Sequence, residues 1–213
     1  IESMFDAAIA DGYLSRNPAK SATAPEGTRG THRAITDTER HTILTTPHRL
    51  RPMVMMMLYA GLRRGEALAL DVSRDVDLVH GTVTVSRAVR YESNQPILAD
   101  PKTASGFRTI PLMDEAREAI SEVSGLLAFG ADGRMMSETA FSRAWSSYCH
   151  VTGLAIRPHD LRHSYCTMLR DRGVELNVAK QWMGHGDERM ILRIYDHITD
   201  DRLEANRALL GIG

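Results

Sequence analysis

Between Arg157 and His197 the chain reads RPHDLRHSYCTMLRDRGVELNVAKQWMGHGDERMILRIYDH, and four of its side chains suit the handling of a phosphate: His159, Arg162, His185 and Tyr195. Pro158 fits a first helical turn, because the N–H it lacks would be orphaned there. His159 follows at the mouth of that helix, where unpaired N–H groups and the positive dipole end favour an anion. Arg162 lies three residues on and shares a helix face with it. The helix runs to Gly173, a C-terminal stop. Short helical pieces follow, with His185 in a Gly-His-Gly turn and Tyr195 soon after.

Taken singly, each residue has a plainer role. One histidine is more often a core or capping residue, Arg63 at three-residue spacing from Glu66 makes an ion pair, and a tyrosine near a helix end is packing. His159-Asp-Leu-Arg-His163 also has the two-histidine spacing of a zinc helix. It places Asp where the general-base Glu belongs, and a third ligand must come from His185, Asp187 or a distant carboxylate. Arg162 inside the ligand helix would repel a metal. No metal site is expected.

The elements that must position these groups follow from periodicity. Met4, Phe5, Ala8, Ile9 and Tyr13 lie at helical spacing over residues 1–15, ending near Asn17-Pro18. Residues 1–18 are read as the last helix of a truncated upstream domain, 19–35 as a Thr/Ala/Gly/Pro-rich linker, and 36–213 as the main domain. Thr36-Asp-Thr-Glu39 is a capping box opening a short helix to about Thr45, which Pro47 breaks. A methionine-rich helix spans about Leu50 to Tyr59. After Gly61, a further helix over Leu62 to Leu70 carries Arg63, Arg64 and Glu66.

From Asp77 to Leu112 the period changes. Val83, Val85 and Val89 share one parity and predict a strand after the His80-Gly81 turn, imperfectly, since Arg87 falls on the same face. A second strand over Arg108 to Leu112 returns after a long polar loop holding Lys102, so the pair reads as a small antiparallel sheet with an extended tip. Asp114 is expected to cap a helix to about Leu127. Ser137 caps another, with Phe141, Trp145, Tyr148 and Cys149 along one face. Thr199 to Leu210 is predicted to be an amphipathic helix. The fold class is mainly α with a small antiparallel β-sheet.

Across 213 residues the hydrophobic share is 43% and the charged share 25%, as in a water-soluble globular protein. No stretch approaches the roughly 18 apolar residues of a membrane span. Cys149 and Cys166 have no paired spacing and read as buried free thiols in a reducing cytoplasm. The net charge of -1 conceals an uneven distribution. Arg49, Arg51, Arg63 and Arg64 lie in a stretch without an acid, whereas Asp114, Glu115, Glu118 and Glu122 make one helix acidic, so a basic face can stand opposite an acidic back.

Five fragments in order carry a resemblance: AlaGlyLeuArgArgGlyGlu at 60–66, ProLysThr at 101–103, HisAspLeuArgHis at 159–163, MetGlyHis at 183–185 and ArgIleTyr at 193–195. Together they resemble the tyrosine recombinases, the phage and transposon integrases. The resemblance implies the catalytic-domain fold of that family, with the truncated upstream domain as a core-binding domain. It also implies roles: Arg63 and Arg162 as the phosphate-binding arginines, Lys102 as the hairpin lysine, His159 and His185 as the two histidine positions, Tyr195 as nucleophile, and Glu66 as a support orienting Arg63. Arg49, Arg51, Arg64, Lys102 and Arg108 are the expected DNA contacts.

The implied reaction is the cutting and rejoining of DNA at recombination sites through a covalent 3′-phosphotyrosine, with no cofactor, neither ATP nor metal. A phenol of pKa about 10 is ionised in only about one molecule in a thousand at pH 7, so it needs positive charge and a proton acceptor nearby. Two arginines can supply bidentate, permanently charged contacts to the phosphate oxygens. The implied partners are double-stranded DNA and three further copies in a homotetramer, the C-terminal helix docking on a neighbour. An excisionase or host bending protein would join them at the nucleoid of a bacterial cytoplasm. Type IB topoisomerase-like strand relaxation and a non-catalytic DNA-binding accessory are the alternatives.

Overall fold

The computed structural model describes residues 2–21, 33–100, 106–184 and 187–196. The chain divides into two compact units, Ile1–Thr31 and His32–Gly213. In the first, helix α1 (Glu2–Ala10) stops well short of Asn17, because Gly12 takes a left-handed φ of 78° and turns the backbone away. A single 3-10 turn, Pro18–Ser21, follows. Asn17 ties the two together, donating to Asp6 Oδ1 at 2.6 Å and accepting from the Ala19 N–H at 2.9 Å.

The second unit holds nine helices and five strands among its described residues. Its first helix, α2 (Asp37–Thr45), begins with the reciprocal box: Thr36 N–H donates to Glu39 Oε2 at 2.9 Å and Glu39 N–H to Thr36 Oγ1 at 3.3 Å. Helix α3 (Arg51–Tyr59) is buried along every residue from Met53 to Tyr59, on all sides rather than on one stripe. A helix apolar all round belongs in the centre of a fold. It lies between α6 (Asp114–Ile120) and α8 (Pro158–Asp171), and α4 (Arg64–Ala69) follows it closely. The flexible thioethers of Met53, Met55, Met56 and Met57 fill the irregular space between them.

The sheet is antiparallel, in the order β1 (Val76–Asp77), β2 (Thr82–Val85), β5 (Arg108–Pro111), with Val83 opposite Ile110 and Val85 opposite Arg108. The valine parity thus ends at Val85. Arg87 leaves the ladder to bind the Ala69 carbonyl at 3.3 Å and Asp75 at 2.8 Å. The chain then forms a separate hairpin, β3 (Ala88–Glu92) with β4 (Gln95–Ala99), where a polar loop was expected. Ser93 and Asn94, at φ of 47° and 69°, make its two-residue turn. Asn94 Oδ1 also accepts from Thr139 N–H at 2.8 Å, fixing the turn on the start of α7 (Glu138–Thr152).

Helix α6 ends at Ile120 rather than near Leu127, and its N-cap is Met113 rather than Asp114. The backbone beyond it is needed elsewhere: the Gly125 carbonyl accepts from Val72 and the Leu127 N–H donates to Leu70. Helices α5 (Val72–Asp75), α9 (Leu176–Met183) and α10 (Glu188–Tyr195) complete the unit. The helix expected over Thr199 to Leu210 lies outside the described residues. No described helix is long and apolar enough to cross a membrane.

Candidate active site

The site is built on a carboxylate. Glu66 sits in the third position of α4, where its side chain turns back on the helix start and accepts from the Arg63 N–H at 2.7 Å. It also accepts from Arg63 Nη1 at 2.9 Å, and from both terminal nitrogens of Arg108 at 2.9 and 2.7 Å. A bidentate arginine pair is among the strong, charge-assisted hydrogen-bonding arrangements open to a carboxylate. Burial alone would raise the Glu66 pKa; the hydrogen bonds and charge of Arg108, with Arg162 and Arg63 behind it, outweigh burial and hold it at about 2.

Arg162 enters from the first turns of α8 and is completely buried. Its Nη1 donates to the Gly61 carbonyl and its Nη2 to the Met183 carbonyl. Gly61 has a φ of 65°, and any Cβ there would overlap the ring of Tyr165, so only glycine delivers that carbonyl. The remaining edge of the guanidinium, Nε and Nη2, faces Asp187 Oδ2, with the Nε contact at 2.9 Å. Arg63 Nη2 donates to the same oxygen at 2.7 Å. Two guanidiniums brought from different helices therefore share one anionic atom.

The electrostatics follow from this crowding. Burial lowers the Arg162 pKa to about 10, with Asp187 opposing and Arg63 adding repulsion, so the group stays charged at neutral pH. Burial would raise Asp187, yet the charges of Arg162 and then Arg63 carry it below the usual carboxylate range. Arg63, only 34% exposed in its side chain, is raised despite burial because Glu66 and Asp187 both face it.

Tyr195 is the last residue of α10, whose Ile191 and Ile194 are buried and whose other contacts are with α8 and α9. Its ring is half-buried and its hydroxyl donates to the Val174 carbonyl at 3.0 Å. His159 is half-exposed at the start of α8. Lys102 and His185 fall outside the described residues.

The expected DNA contacts separate. Arg49 and Arg64 are exposed; Arg64 lies over the rings of Tyr91 and Phe141, 5.9 and 5.5 Å from their centroids. Arg51 is half-buried and donates to the Leu44 carbonyl at 2.9 Å. Arg108 corrects the expectation of a surface contact: its side chain is 3% exposed, and besides Glu66 it binds the Trp182 carbonyl at 2.7 Å, tying β5 and α9 to the site. A strand arginine facing inward opposite Val85 cannot be told from an outward one by its type alone.

The residue that sequence reasoning missed is Asp187, weighed there only as a metal ligand. Its signal, an Asp at a helix mouth, points to an ordinary N-cap; yet the carboxylate makes no cap bond to α10. Among the described residues no group of three or more His, Cys, Asp or Glu side chains could hold a metal ion.

Comparison with known proteins identifies the family. The model of the phage integrase family matches residues 33–202. A tyrosine recombinase XerC of Herpetosiphon aurantiacus is 31% identical over 213 residues, covering 95% of this chain and 68% of its own. The ICEBs1 integrase of Bacillus subtilis is 25% identical, covering 95% and 60%. The chain thus spans roughly two-thirds or less of such relatives' length. Among solved structures, the Tn1549 transposon integrase in complex with circular intermediate DNA superposes with a TM-score of 0.74 at 23% identity, over 98% of this chain and 76% of that one. A lambda integrase dimer bound to a COC′ core site gives 0.60 at 18%, over 93% and 71%. With mainly helical architecture, small antiparallel sheets and the family match over most of its length, the chain belongs to the phage integrase family of tyrosine recombinases, enzymes that cleave and rejoin DNA.

Proposed function

We propose that this chain carries the catalytic centre of a site-specific recombinase acting on double-stranded recombination sites, with Tyr195 as nucleophile. The observation that supports this most is the meeting of Arg63 and Arg162 on one anionic oxygen, an arrangement suited to the non-bridging oxygens of a phosphodiester. Charge grows on those oxygens as the pentacoordinate state forms, so fixed donors favour it over the ground state. Tyr195 Oη attacks phosphorus, its proton passing to His159, while the bond to the 5′-oxygen breaks and that oxygen takes a proton from Lys102. His185 donates to the phosphate. The product is a 3′-phosphotyrosine and a free 5′-hydroxyl, and attack by a new 5′-hydroxyl reverses each step, so no ATP is consumed.

The working form in this reading is a homotetramer on DNA, with residues 199–213 docking on a neighbour and an excisionase or host bending protein shaping the complex at the nucleoid. A half-site suicide substrate, which loses its 5′ fragment on cleavage, tests the assignment. The chain should form a covalent adduct stable to denaturant, and Tyr195→Phe should form none while still shifting the DNA in a gel. An adduct in the variant at wild-type yield would remove Tyr195 from its role. Relaxation of plasmids without strand exchange would place the chain with the topoisomerases.

A further inference from the structure

We infer that Asp187 is a resident stand-in for the scissile phosphate: its carboxylate fills the place between Arg63 and Arg162 that the phosphodiester must take. The inference rests on the two arginines being the phosphate-binding pair. Asp187 Oδ2 accepts from Arg63 Nη2 at 2.7 Å and from Arg162 Nε at 2.9 Å, as a non-bridging phosphate oxygen would. Arg162 is 0% exposed, and its Nη1 and Nη2 are held by the main-chain carbonyls of Gly61 and Met183. Those carbonyls cannot leave without unfolding the loop and helix that carry them. The Nε–Nη2 edge is the one fit for a bidentate phosphate contact, and Asp187 covers it. A phosphate therefore reaches Arg162 when this carboxylate withdraws, and binding is an exchange of one anion for another.

Like charges on Arg63 and Arg162, one half-buried and one fully buried, need a counter-charge whenever DNA is absent. Asp187 supplies it and keeps both guanidiniums aligned. The carboxylate makes no cap bond to α10, so its withdrawal costs that helix no side-chain hydrogen bond. Asp187 is thus a positioning residue for the reaction.

The exchange sets a measurable penalty. A ligand whose seat is occupied for most of the time binds more weakly in proportion to the unoccupied fraction. Inorganic phosphate is the probe, titrated into the chain and into Asp187→Asn, Asp187→Ser and Asp187→Glu at matched ionic strength, with binding followed by calorimetry and thermal shift. The Asn and Ser variants should bind phosphate about tenfold tighter or better than the parent, and the Glu variant should stay near the parent. Without phosphate the Asn and Ser variants should melt lower, and phosphate should restore them more than chloride does. If both fail to fold in chloride, refolding yield in phosphate against chloride decides in the same sense. Unchanged phosphate affinity, or instability that phosphate does not relieve, overturns the inference. Arg63→Ala and Arg162→Lys separate the two readings: if they bind phosphate as well as the parent does, the arginines are not the phosphate seat and the assignment of the site itself falls.

Discussion

The two ends of α10 are held in different ways. At its start, Asp187 lies among charged donors from α4 and α8, backed by Glu66, Arg108 and the four main-chain carbonyls of Gly61, Trp182, Met183 and Gly184. At its end, eight residues and about 12 Å along the axis, the Tyr195 hydroxyl gives a hydrogen bond to a neutral carbonyl at Val174. A bond of the second kind contributes about 1 kcal/mol net, whereas breaking a buried charge pair costs about 3–5 kcal/mol. In the proposed reaction the fold prepares the charge stabilisation in advance, whereas the hydroxyl of Tyr195, the proposed nucleophile, is held by a bond cheap to exchange.

The largest effect should come from breaking the fixed end. Arg162→Ala is expected to lower cleavage by several orders of magnitude in the suicide-substrate assay, while Arg64→Ala, on the surface over Tyr91 and Phe141, costs far less. Equal losses would mean that the buried edge of Arg162 has no special part. Glu66→Gln comes next. It leaves Arg108 buried at 3% exposure without its charge partner, and should destabilise the chain by about 3–5 kcal/mol in urea titration.

Acid should dissolve the same end by a gentler route. Glu66 is held at about 2 against an ordinary 4.5, and Asp187 is displaced in the same direction. A depressed carboxylate stabilises fully above its unfolded pKa, and the contribution is lost as pH falls toward the folded value. Melting temperature should therefore drop between about pH 4.5 and pH 2, and Glu66→Gln should flatten that slope. A slope unchanged by the substitution would assign acid lability to other groups. The smallest effect belongs to the other end: Tyr195→Phe should cost about 1 kcal/mol of stability, measured by denaturant midpoint. A loss several times larger would mean that Tyr195 is held as firmly as the arginines.

Much of this is legible in the sequence. The capping box at Thr36 and Glu39 needs only local geometry, and the helix starting at Pro158 is announced by its first residue. The types of the reacting groups are distinctive in combination, which is why fragments scattered from Arg63 to Tyr195 could be read together. What escaped depends on distant parts meeting. Arg87 ends the ladder because Asp75 and Ala69 happen to lie beside it, and the hairpin beyond was hidden in a polar stretch whose turn, Ser93-Asn94, lacks the usual glycine. Arg108 looked like a surface cation because nothing near it in sequence names Glu66 as its partner. Asp187 stands where an aspartate ordinarily caps a helix, and its true partners lie far away along the chain.

Gly61 shows how far the demands of such a centre extend. It offers no functional group, yet any larger residue would strike the Tyr165 ring and drag away the carbonyl that steadies Arg162. A saturation screen scored on recombination would rank this position beside the arginines themselves, and an investigator hunting for reactive side chains would find there only a hydrogen atom.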